Sequence, residues 1–357
     1  MSALLKELDH CRACFLRITL AFEPVRKIFV NRALRLFFFI CFSLTLNFFL
    51  SLAVPIWMLG LGPLILGTTH LFAVFRFVPK AITENTAKQI SIARVSAAVV
   101  LLTGLARILQ GNGWAIPDLP GLFNAWEWLA LLATFVCLGF FLGWERKTLF
   151  VTLFSLLTLA NCSWNYPLAT AAVLMIGHNF VPFFYWMKMS KNPQELFVSV
   201  FALLVFSLIH VAFLTGLCDG LAHHLRMALP DFGPSLDPLF IAKQIFPKSN
   251  DFALLERAVS VFAFGQAVHY FLWIKVLPEQ AIRQEVPLTF SQSKNQIVRD
   301  LGLSFSKLAL VFTLGFIGFM LFVKIGTLRD IYVAGVAAHG YAELAGLPFL
   351  LLRKPSV

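Results

Sequence analysis

The 357-residue chain is 59% hydrophobic and only 13% charged, with a formal net charge of +11 and a mean hydropathy of +0.80. Soluble domains carry about 25% charged residues, so this composition excludes an ordinary water-soluble globule. The basic excess comes with 39 phenylalanines, long uncharged runs and no DNA- or RNA-binding motif; it excludes nucleic acid as the partner and points to loops facing anionic membrane lipid.

Residues 1–33 mix basic and apolar positions and are interrupted by Pro24. That pattern predicts one or two amphipathic helices lying on the inner leaflet. Within it, His10, Cys11 and Cys14 place three ligand types close together. No second CxxC or histidine pair completes a zinc site, so a reduced cytosolic pair is the plain reading. The other cysteines, Cys41, Cys137, Cys162 and Cys218, are scattered and do not form a disulfide framework. The first strongly apolar run begins near Leu36, too far in and too long for a signal-peptide core, and is expected to be a retained anchor.

About 20 apolar residues cross the hydrocarbon core. Runs of that kind predict spans at 36–56, 62–78, 89–109, 125–143, 148–165, 167–187, 196–218, 255–277, 303–326 and 330–352. The expected fold is an all-α, polytopic transmembrane helix bundle of about ten spans, with 34–357 as one domain. Two tight connections, at Gly60–Pro63 and Asn165–Pro167, could each mark a hairpin that stops short of crossing, which leaves eight as the alternative. Residues 219–254 are expected to be an external loop.

Charge placement sets the orientation. Lys and Arg gather in 1–35, between Arg76 and Arg94, at 146–147, at 188–191, between Lys275 and Lys307, and at 353–354. The opposite side receives only Arg107, Arg226, Lys243, Lys248, Arg257, Lys324 and Arg329. By the positive-inside rule both termini are expected to be cytosolic, and in a bacterial cell the membrane would be the plasma or inner membrane. The tryptophans agree, because all eight fall near predicted boundaries, where a ring with one N–H is best placed.

Ionisable groups inside spans are costly and are functional candidates by default. His70, His178, His269 and His339 each lie on a span running from outside to inside, and Glu343 is the one carboxylate deep in a span. His70, His178 and His269 sit 8 or 9 residues before their inner edges, a height of ~12–14 Å at 1.5 Å per residue. Glu343 matches that height, and His339 lies one turn above it on the same helical face. The contexts are alike: GTTHLFAVFRFVP, GHNFVPFFYWMK, GQAVHYFLWIKVLP and GVAAHGYAELAGLP. A nearby glycine in each permits close approach of a neighbouring helix. These five residues are the candidate metal site. His210 runs on an oppositely directed span and is read as a packing residue; His223 and His224 are assigned no role. Asn47, Asn161, Asn179, Gln266, Tyr270 and Tyr341 are the groups available to support the ligands.

Imidazoles with a carboxylate suit iron, zinc or copper. Iron within the bilayer would serve oxidation of an apolar substrate such as a lipid, carotenoid or quinone. Two alternatives stand beside it. One is a b-type haem protein using histidine pairs. The other is a transporter, channel-like protein or scaffold whose histidines are structural or relay protons. No nucleotide-binding or serine-nucleophile motif is present, and no protein partner is indicated.

The run His339-Gly340 followed by Glu343, among spans each carrying a histidine, resembles the bacterial bacteriorhodopsin-related-protein-like family of β-carotene dioxygenases. The resemblance covers short stretches, and this chain lacks aspartates near its other histidines. It implies a retinoid product.

Overall fold

The computed structural model describes residues 2–82, 86–111, 145–166, 176–227, 249–282 and 288–319, together with 237–238, 243, 327, 339–340 and 343. The predicted span 125–143, and all of 330–352 except His339, Gly340 and Glu343, lie outside these residues.

Every regular element among the described residues is helical. In chain order they are α1 (Ser2–Leu20), α2 (Glu23–Val30), α3 (Arg32–Ala53), α4 (Pro55–Gly62), a π segment at Pro63–Gly67, α5 (Thr68–Ile82), α6 (Thr86–Gly111) and α7 (Arg146–Asn165). A 3₁₀ turn at His178–Phe180 leads into α8 (Val181–Met189). Then follow α9 (Pro193–Leu214), α10 (Asp219–Leu225), α11 (Phe252–Phe271), a second π segment at Leu272–Val276, α12 (Leu277–Ile282), α13 (Phe290–Leu301) and α14 (Leu303–Phe319). Helix α10 opens the predicted 219–254 loop.

Four helical runs among the described residues are long and apolar enough to cross a membrane: Arg32–Ala53, Pro55–Lys80, Pro193–Leu214 and Phe252–Ala281. Their 22 to 30 residues correspond to about 33–45 Å, enough for the hydrocarbon core. Polar caps set the starts of three of them. Asn31 Oδ1 accepts from the Leu34 amide at 3.1 Å, Asn192 from Glu195 at 2.8 Å, and Asp251 from Leu254 at 3.2 Å, each satisfying an amide that has no partner within its helix.

The first connection differs from the sequence expectation. The chain does not turn at Gly60–Pro63; it breaks at Val54 (φ −140°, ψ 49°) and runs as a continuous helix from Pro55. Pro55 disfavours helical geometry in the residue before it. Pro63, which has no N–H to donate, is absorbed by the π segment that begins with it.

The Phe252–Ala281 run is the axis of the bundle. Its apolar stretch is 72% buried, against 33% for α3 and for α9. Helix α11 packs on α3, α4 and α9, while α3 and α9 keep outward faces of Phe38, Phe42, Phe49, Phe197, Leu204 and Leu208. At the end assigned to the cytosol, buried charges are paired, as their desolvation requires. Asp300 meets Arg76 and Lys80, both at 2.6 Å. Arg35 pairs with Glu279 and donates to the Phe29 carbonyl. Glu195 takes Arg32 at 2.9 Å and the Gln280 amide at 2.7 Å. The five cysteines among the described residues are free thiols.

Candidate metal centre

Two of the candidate histidines sit beside irregular helix geometry. His70 follows the first π segment by three residues, and His269 precedes the second by three. A π turn shifts the register of the side chains around it and recurs at functional sites. Here both shifts flank the residues that meet.

His70 and His269 approach through their Nε2 atoms at 2.8 Å. Glu343 Oε1 lies 3.4 Å from His70 Nε2, 3.6 Å from His269 Nε2 and 3.8 Å from His339 Nε2. One ligand atom from each of these four residues falls within 4.8 Å of all the others. His70, His269 and Glu343 are fully enclosed, and the His339 side chain is 12% exposed.

These separations suit one ion. Ligand bonds of ~2.0–2.1 Å put neighbouring donor atoms roughly 3.3 Å apart in a tetrahedral site and somewhat closer in an octahedral one. The donors need little movement to close on a single centre. The charge balance points the same way. The Glu343 carboxylate is fully buried with the Trp273 indole beside it, and a buried carboxylate calls for a cation or a proton. The group can therefore hold a metal ion, with three imidazole nitrogens and one carboxylate as donors.

His178 stands beside this set. Its ring centroid is 4.8 Å from that of His269 and 6.2 Å from that of His339. It is carried by the 3₁₀ turn, which packs on α11. Gly340 faces it closely: a β-carbon there would meet His178 Cδ2 at 3.7 Å.

The supporting groups are only partly those nominated from sequence. Asn47 bonds Ser43 at 3.0 Å and Asn161 bonds Asn165 at 3.0 Å, both within their own helices. Gln266 donates to the Tyr270 hydroxyl at 3.0 Å, and the Tyr270 ring lies 4.9 Å from that of His70. Asn179 packs against Gly265. Tyr341 lies outside the described residues. Two residues were missed by the sequence reading. Tyr185 donates to the Glu343 carbonyl at 3.2 Å, and the Trp273 ring lies edge-on to both His70 and His269, at 6.3 and 6.5 Å. Their only signal was the aromatic run that follows each histidine.

His210 is a packing residue in its immediate surroundings. Its Nδ1–H donates to the Phe206 carbonyl at 2.8 Å, and its ring lies among Phe180, Phe206 and Phe264. His10 Nε2 and Cys14 Sγ are 3.7 Å apart on the exposed side of α1.

No protein-family model, curated protein or solved structure matches this chain.

Proposed function

We propose that the protein is an integral membrane metalloenzyme of about ten spans, with both termini cytosolic, that oxidises an apolar substrate at a single iron held by His70, His269, His339 and Glu343. His178 completes the coordination or orders what binds beside it. The observation that carries this reading is the convergence of three imidazole nitrogens and one carboxylate within 4.8 Å, inside a bundle whose helices are long and apolar enough to cross a membrane.

Iron is favoured over zinc and copper by function rather than by affinity, since imidazole and carboxylate donors accept all three. A site buried among spans is reached sideways by lipid-soluble molecules. The likeness of His339-Gly340…Glu343 to the β-carotene dioxygenase family supports a polyene as substrate. Dioxygenation of a carbon–carbon double bond also closes its own electron balance: dioxygen supplies both oxygens of the two carbonyl products, and no separate reductant is consumed. When bound, the metal supplies dioxygen activation. The chain's own residues exclude water and hold the donors in place.

The geometry disfavours haem at the same place. A bis-histidine haem needs its ligating nitrogens on opposite faces of a porphyrin, and a 2.8 Å separation leaves no room for a ring between them.

Elemental analysis and a visible spectrum of the purified protein test the reading together. The expected result is one iron per chain without a Soret band. Absence of stoichiometric metal, or a Soret band, overturns it.

A further inference from the structure

The sequence pattern placed residues 1–33 on a membrane surface without saying which face does the docking. The structure resolves α1 into two faces with different neighbours. One face carries Asp9, whose carboxylate accepts from the Phe290 amide at 2.6 Å, the Ser291 amide at 3.2 Å and the Ser291 hydroxyl at 2.6 Å. Asp9 thus caps the first turn of α13, alongside the capping box that Thr289 and Gln292 form on the same helix. The Ser291 hydroxyl bond holds the Asp9 carboxyl below the usual carboxylate range. This face clamps α1 to the amphipathic helix that leads into α14.

The other face is exposed among the described residues. Leu4, Leu8, Cys11, Phe15 and Ile18 recur at alternating steps of four and three, which keeps them within a sector of about 80° on a helix turning 100° per residue, and Phe22 follows just past the end of α1. All of them are exposed: Leu4, Phe15, Ile18 and Phe22 at 63–67%, Leu8 at 38%, with Cys11 exposed as well. Exposed Lys6 and Arg17 lie on the polar side of α1, away from the stripe, and exposed Arg26 and Lys27 continue the basic character through α2. A contiguous apolar stripe of this size marks a contact surface.

We infer that this face of α1 docks in the plane of an anionic lipid surface, with Leu4, Leu8, Phe15 and Ile18 inserted among acyl chains and the long side chains of Lys6 and Arg17 reaching from the polar side to the headgroups. Two facts select lipid over a protein partner. The exposed cations of α1 and α2, Lys6, Arg17, Arg26 and Lys27, complement anionic headgroups. The segment also runs through α2 directly into α3, a candidate spanning helix that starts at Arg32, so the stripe lies at the level where a bilayer begins. The Asp9 clamp fixes the roll of α1, since rotation about its axis would break the cap. The inference is independent of any metal.

The test uses the full chain in nanodiscs. A fluorophore is placed at Phe15→Cys on the stripe, or at His10→Cys on the opposite side, with the native cysteines replaced by serine. Brominated anionic lipid should quench the label at 15 several-fold more than the label at 10. On the unmodified chain, trypsin cleavage after Arg17 should slow several-fold when zwitterionic lipid is exchanged for phosphatidylglycerol, and high salt should reverse part of that protection. Equal, weak quenching at both sites, with cleavage indifferent to lipid charge, overturns the inference. So does a label at 15 that is shielded from an aqueous quencher but not quenched by bromolipid, which would mean that protein, including a second copy of the chain, covers the stripe.

Discussion

His70 and His269 stand 199 residues apart in the chain and meet nitrogen to nitrogen at 2.8 Å. Two neutral imidazoles can share that contact only if one donates its N–H to the other; an ion between them would use both lone pairs instead. The His70 Nδ1 is buried with no hydrogen-bond partner among the described residues, whereas the His178 backbone bonds the His269 ring. In front of the pair lie Glu343 and, on the proposed reading, the place for a cation.

Glu343→Gln removes the negative charge and keeps the shape. If the carboxylate is a ligand, metal affinity should fall by more than the ~10–100-fold typical of substitutions behind the ligands. Helical content should be unchanged, because an amide is easier to bury than a carboxylate. Metal-to-protein ratio after dialysis, read with circular dichroism, checks both parts. Full metal retention counts against ligation.

His70→Ala and His269→Ala should each abolish stoichiometric metal, whereas His178→Ala should retain it with an altered spectrum. The difference follows from geometry, since His70 and His269 belong to the set closing within 4.8 Å and His178 approaches it from the side. Equal metal loss in all three variants would place His178 among the primary ligands.

The sequence made the height of these residues legible, but not their rotation about the helix axes. Distance from a span edge follows from counting residues, and it nominated His70, His269, His339 and Glu343 together. Asn47 and Asn161 were named as further polar groups within the spans, yet each turns to a neighbour four residues away on its own helix. Glycine and proline at 60–63 read as a turn because the π segment that accommodates Pro63 has no composition signature. The break came instead at Val54-Pro55, where the restriction on a residue preceding proline is a sequence rule. The clamps from Asp9 and Asp300 were not foreseen, because a carboxylate and a partner distant in sequence share no periodicity.

Asp300→Ala should destabilise the fold. It leaves Arg76 and Lys80, now both held at 2.6 Å, without their carboxylate, and loss of one partner from a buried ion pair costs about 3–5 kcal/mol. A lowered thermal midpoint in detergent is the expected readout. Arg76 lies six residues beyond His70 on α5, so loss of metal should accompany unfolding rather than precede it. A midpoint matching the parent protein would show that the pair is dispensable.

Gly265 gives the most specific prediction. It lies one turn before His269 on α11, and a β-carbon built there would sit 2.8 Å from Asn179 Nδ2 and 3.2 Å from His210 Nε2. The first distance is too short for any real contact, so Gly265→Ala must displace the Asn179 side-chain amide, which belongs to the 3₁₀ turn that carries His178. His70, His339 and Glu343 do not depend on that turn. The variant should therefore keep its metal and fold but change the metal's electronic or paramagnetic signature. Replacing Asn179 by Ala in the same chain removes the atoms in the way and should restore the parent spectrum, while Asn179→Ala alone should have the smaller effect. Three measurements on one preparation — metal content, thermal midpoint and spectrum — separate the outcomes. A general packing defect lowers the midpoint and releases metal without rescue by the second substitution. A positioning role alters the spectrum alone and is rescued. A spectrum unchanged in Gly265→Ala would show that the place of His178 does not matter to the centre.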